Sequence, residues 1–224
     1  MMKFRYFLII LTLLTTSLRL DAQHDELKLG LRMGHNAVYG EFAAISLEAN
    51  QSFYDMLRIS GGIQYNTISK TAIEVRPAYF KDYDWGRVSP ELLLYYSNLS
   101  SINSAAFGVG ADVSGKWISG KLGYYYRLYA SKTDMINEPF NIYYELLVNT
   151  LPMIDKWDLQ FVITNNEIFE LERHYQPSFI AQCRYNLPNS LALSMGVGCK
   201  PAGIFNISAD YYQTFLNLGV SYLW

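Results

Sequence analysis

Three histidines, two cysteines and a scatter of charges are the residues of this 224-residue chain that could do chemistry. His24 stands alone near the N-terminus. His35 sits beside Asn36 in a predicted first turn. His174 lies in an acidic stretch with Glu170 and Glu172, and Ser178 follows. A Ser–His–Glu grouping can be drawn there, of the kind a hydrolase or acyltransferase uses. Such enzymes need a base close to a nucleophile or a carboxylate. Nothing in the spacing brings these side chains together, and an exposed loop histidine is the simpler reading. His174 and His35 stay weak catalytic candidates. No metal-ligand cluster, zinc spacing or phosphate loop is present, so no cofactor is expected.

The charges are more informative. Arg58, Glu74, Arg76, Arg87, Glu91, Asp112, Lys121, Arg127, Glu145 and Asp210 all fall within stretches where polar and apolar residues alternate. They share their face with many Gly, Ala and Ser residues. The opposite face is almost uniformly Leu, Ile, Val, Phe and Tyr. Acids and bases of both signs on one face can line a substrate path. They can also neutralise one another in a narrow interior, because a buried charge needs a partner. The second reading is favoured.

These residues must be positioned by strands. Period-two alternation recurs over residues 27–34, 57–66, 73–80, 87–96, 105–114, 118–128, 140–149, 157–164, 178–185, 191–198, 205–211 and 215–224. Residues 38–49 form a less regular strand. Alternation of this kind argues strand and not helix. Thirteen candidates result, but single-chain bacterial barrels use even numbers. Twelve strands are expected, with ten or fourteen as alternatives. The uncertain places are 27–49, one bent strand or two, and 165–186. Pro77 and Pro90 fall on the apolar face, where a missing N–H breaks the ladder unless it sits at a strand end or bulge.

The N-terminus reads as a secretory signal peptide, residues 1–22. Lys3 and Arg5 precede an apolar core over 6–14, and cleavage is expected after Ala22. That core is too short to cross a bilayer as a helix, which needs about 20 residues. No Cys stands near the junction, which argues against a lipid anchor. Removing Lys3, Arg5, Arg19 and Asp21 leaves 15 basic and 19 acidic residues, a net charge of −4. That balance gives no reason to expect nucleic-acid binding. Residues 23–224 make one domain. Asn50-Gln-Ser, Asn98-Leu-Ser and Asn206-Ile-Ser match the glycosylation pattern, which in a bacterial exported protein is coincidence.

Cys183 and Cys199 could oxidise in an exported chain. A hairpin turning near Pro188-Asn189 sets Cys183 opposite about residue 194, roughly 17 Å along the strand from Cys199 at ~3.4 Å per residue. A disulfide needs Cα atoms within about 7 Å. Two free, outward-facing thiols are therefore expected.

Aromatic residues make up 16% of the chain, with 19 Tyr. That suits girdles at two membrane interfaces. Small residues and compensating charges suit a narrow wet interior, and the apolar rows suit lipid, which forces a sheet to close. The last residues, Val220-Ser-Tyr222-Leu-Trp224, resemble the terminal signal read by the barrel-assembly machinery, though such signals usually end in Phe. The chain resembles a small outer-membrane β-barrel protein of Gram-negative bacteria. The Ala22–Gln23 junction is of a style common in Bacteroidota. The resemblance covers the whole mature chain and implies a monomeric, all-β, closed antiparallel up-and-down barrel in outer-membrane lipid. It points to no functional subfamily. Three roles are open: a non-catalytic structural or interaction role through loops such as 131–138 and 165–175, a passive channel for small solutes, or a membrane-embedded hydrolase or acyltransferase. The first is favoured.

Overall fold

Among the described residues every regular element is a strand, as the alternation requires. A computed structural model describes residues 25–53, 56–67, 70–99, 102–131, 134–149, 156–166, 176–201 and 211–224. The strands are β1 (Glu26–Asn36), β2 (Gly40–Phe53), β3 (Leu57–Asn66), β4 (Lys70–Tyr79), β5 (Lys81–Tyr83), β6 (Gly86–Leu99) and β7 (Ile102–Ser114). They continue with β8 (Ile118–Ala130), β9 (Met135–Asn149), β10 (Trp157–Thr164), β11 (Ser178–Asn186), β12 (Leu191–Pro201) and β13 (Tyr211–Leu223).

Each strand pairs antiparallel with its sequence neighbours, and β1 closes the ring on β13 from Glu26↔Leu223 to Asn36↔Gln213. The thirteen segments make a twelve-strand barrel, because β4 and β5 are one interrupted strand. Both pair with β6 in a single register, Val75↔Leu94 continuing as Lys81↔Val88. The interruption falls where the two prolines lie. Pro77 on β4 and Pro90 on β6 remove ladder donors from facing strands. The Phe80 N–H continues the β3–β4 register and donates to Met56 O at 2.7 Å. The prolines on the apolar face thus mark a real break.

The region 27–49 is two strands. Asn36 Oδ1 accepts from the N–H of Val38 (2.9 Å) and Tyr39 (3.2 Å), and Gly40 at φ +76° lets the chain reverse. A short polar side chain that mimics a backbone turn, followed by Gly, makes a tight hairpin. The surplus strand is the candidate at 205–211. Residues 202–210 lie outside the described set. Because β12 pairs directly with β13, with Pro201 opposite Tyr211, no further strand stands between them. The expected loop 131–138 is shorter than its pattern implied, since β9 starts at Met135. The signal segment 1–22 is not among the described residues.

Two faces separate cleanly. Leu29, Ile45, Leu94, Phe107, Leu122, Phe161 and Val197 are exposed on the outside, with Leu122 at 63%. Tyr83, Trp85, Trp117, Trp157 and Tyr222 stand at the terminal end, where β1 starts and β13 ends, while Tyr39, Tyr65 and Tyr96 stand toward the opposite end. β10 and β12 end, and β11 and β13 begin, at that opposite end; residues 167–175, within the uncertain 165–186 stretch, lie outside the described residues. The inner face holds Ala44, Ala72, Ala106, Ser89, Ser104, Arg76, Glu91 and Arg127, all buried. A water-soluble barrel has the reverse arrangement, apolar inside and polar outside.

Cys183 stands opposite Met195, and Cys199 opposite Phe179. Both thiols are free and half-buried.

Candidate functional site

The functional surface is the lumen. Its centre is one row of side chains running across neighbouring strands. In register, Arg58 on β3 stands opposite Ala78, Ala78 opposite Glu91, Glu91 opposite Gly110, Gly110 opposite Gly123, and Gly123 opposite Tyr143. The two glycines leave a trough on the inner wall. The Tyr143 ring lies in it, and a Cβ at either glycine would overlap that ring. Tyr143 is only 1% exposed, yet its hydroxyl reaches Glu91 Oε1 at 3.1 Å.

Arg76 binds this row together. Its Nη1 donates to Glu91 Oε1 at 2.7 Å, its Nε to Glu74 and its Nη2 to Asn166 Oδ1. The guanidinium sits 4.9 Å from the centre of the Tyr143 ring. Lys121 Nζ approaches the other Glu91 oxygen at 3.6 Å. A planar, five-donor guanidinium can satisfy several acceptors in fixed directions at once, which suits Arg at a buried junction. Asn166 belongs to the β10–β11 connection. Its side chain enters the lumen just past β10, among the shortest strands of the wall.

Further pairs cross or line the space. Arg58 Nη2 meets Asp112 Oδ2 at 3.3 Å, spanning β3 to β7. Lys28 meets Glu48 at 3.4 Å, and Arg184 meets Glu26 at 3.4 Å. Toward the opposite end Arg127, 4% exposed, donates to Ser104 Oγ at 3.0 Å and lies 5.3 Å and 5.1 Å from the rings of Tyr95 and Tyr129. Phe215 fills another inner trough beside Gly198, with the Arg32 guanidinium 4.2 Å above its ring.

Two polar cavities lie in the lumen among the described residues. One of about 320 Å³ is lined by Arg58, Glu74, Arg76, Asp112, Lys121 and Asn166 together with Glu26, Lys28, Glu48 and Asn50. A second, of about 540 Å³, opens toward the terminal end and is lined by Asp82, Arg87, Lys116, Arg58 and Asn50 among others. They share Asn50 and Arg58. The two cavities therefore adjoin at these residues, one toward Arg76 and the other toward that mouth.

Of the expected lining residues, the structure links Glu74, Arg76, Glu91 and Lys121 into one array and sets the Arg58–Asp112 pair at the same cavity. Arg87 pairs with Asp82 at 2.6 Å near the rim. Arg127 belongs to the tyrosine cluster. Glu145 stands opposite Lys121 and Thr164 in register. Asp210 lies outside the described residues. So do His24 and His174. His35 is at the rim of the opposite end, where its Nδ1 faces Glu41 Oε1 at 3.2 Å with both side chains exposed. Among the described residues no three His, Cys, Asp or Glu side chains converge to hold a metal ion. The parts not singled out from the sequence were Tyr143, the glycine pair, Asn166 and Phe215. Parity set Tyr143 on the inner face, but only register brings it beside Gly110 and Gly123.

The fold is similar to that of the KdgM porin solved in complex with disordered oligogalacturonate, at 14% identity and a TM-score of 0.59, covering 88% of this chain and 98% of the porin. It is also similar to the NanC porin, at 14% identity and 0.56 with the same coverage, and to the translocator domain of the autotransporter NalP from Neisseria meningitidis, at 12% identity and 0.54, covering 99% of this chain and 94% of that domain. No family model and no curated protein matches the sequence. At these identities the likeness is one of fold.

Proposed function

We propose that this chain is an outer-membrane β-barrel whose lumen passes small polar solutes through a constriction at Arg76. The observation that carries this is a pair of polar cavities that adjoin at Asn50 and Arg58, one reaching Arg76 and the other opening at the terminal end. A purely structural barrel has no need of polar cavities beside its charges. The membrane setting is supported by the apolar belt between two aromatic girdles, by the porin-like fold and by the signal-like N-terminus. In this reading residues 1–22 are removed and lipid covers the belt. Val220, Tyr222 and Trp224 present the terminal strand to the assembly machinery, and the barrel works as a monomer. The phylum suggested by the Ala22–Gln23 junction draws no support from the comparisons.

A second reading is a closed barrel acting through its loops. The Arg76–Asn166 contact favours it, because it reaches from just past β10 across the lumen to β4. Recording the mature chain in planar bilayers separates the two. Stepwise conductance supports the channel, and a silent, fully folded barrel supports the closed form. Heat-modifiable migration of an outer-membrane fraction on SDS gels checks the membrane barrel itself.

A further inference from the structure

We infer that the solutes this lumen selects are small and net neutral, with zwitterions as the preferred class. The inference rests on the channel reading above. The 320 Å³ cavity is lined by four acids, Glu26, Glu48, Glu74 and Asp112, and by four bases, Lys28, Arg58, Arg76 and Lys121. Each base already lies beside a carboxylate, with Lys121–Glu91 the longest contact at 3.6 Å. Close pairing turns monopoles into dipoles, whose field falls off fast. A passing ion then finds no unbalanced charge to replace its lost hydration.

A zwitterion is itself a dipole. It can lie among alternating charges with each end near an opposite sign, and it adds no net charge to a narrow space. A donor and an acceptor at these cavities suit it. Arg58 Nε and Asn50 Oδ1 are buried without a hydrogen-bond partner, and both residues line both cavities. One is a donor and the other an acceptor. A small rotation of either side chain would bring Arg58 Nε to a solute carboxylate and Asn50 Oδ1 to its ammonium. Buried polar atoms are normally satisfied, so an unpartnered donor and acceptor at the same opening suit a solute that carries both functions.

The test uses the mature full-length chain. In planar bilayers under a KCl gradient, the wild-type permeability ratio of K⁺ to Cl⁻ should lie within about twofold of one. In proteoliposomes, glycine should cross at least about threefold faster than tetramethylammonium or methanesulfonate, each of which carries one charge only. Arg76→Gln leaves Glu74 and Glu91 undercompensated and should raise the K⁺ preference several-fold. Lys121→Gln is the second variant if the first does not fold. A wild-type ratio beyond about tenfold in either direction, or glycine no faster than both ions, overturns the inference and leaves the channel standing. No conductance and no flux overturns the channel reading and the inference with it.

Discussion

The Tyr143 hydroxyl donates to Glu91 Oε1 at 3.1 Å, although the two residues lie on β9 and β6 with two strands between them. The reach is possible because the intervening positions in that row are Gly110 and Gly123. The side chain lies flat along the inner wall and does not point across the lumen. Strand pairing, charge placement and pore width therefore meet at one ring.

Gly123→Ala should displace that ring. Overpacking a tight site costs about 1–3 kcal/mol, read as a lower urea midpoint for unfolding from lipid. In a Tyr143→Ala background the same change should cost far less, since the trough is then empty. Equal costs in both backgrounds would show that the ring does not depend on the glycine.

Tyr143→Phe keeps the ring and removes the hydroxyl. A hydrogen bond to a charged group contributes about 1.5–3 kcal/mol. The loss should fall in that range and be smaller than that of Tyr143→Ala.

Arg76→Met leaves Glu74 and Glu91 buried without their shared cation. The Arg76 and Glu91 side chains are 4% and 1% exposed, and breaking such a pair costs about 3–5 kcal/mol. Adding Glu74→Gln and Glu91→Gln to that variant should restore most of the stability. If the triple variant stays as unstable as Arg76→Met, the damage lies in packing and not in uncompensated charge.

Phe107→Arg discriminates the solvent of the outer wall. Phe107 is 56% exposed near the middle of β7. Against lipid, an arginine at the midplane costs about 2–4 kcal/mol. Against water it would cost almost nothing. A folding yield in vesicles equal to wild type would contradict the membrane placement.

Reduced and oxidised samples should migrate alike, with both Cys183 and Cys199 titrating with a thiol reagent after denaturation. Each thiol faces another residue across the hairpin, Met195 and Phe179 respectively. A mobility difference that disappears on reduction would place the thiols closer than this register allows.

Fold class, the two faces and most strand bounds were legible in the sequence because side chains alternate across a strand with period two. Leu218, Val220 and Tyr222 declare the outer face by local pattern alone. The free thiols were legible too, since a hairpin turn sets the register of its own two strands. What the pattern could not supply was register between strands further apart. Twelve strands were expected from the even-number rule, but which of the thirteen candidates to drop follows only from β12 pairing directly with β13. The meeting of Arg76 with Glu91, of Arg58 with Asp112 and of Tyr143 with two glycines depends on the stagger of the closed ring. Alternation tells a residue which face it occupies and says nothing of its height on the wall. Only closure of the sheet fixes that height, and with it which charges touch and how much lumen is left.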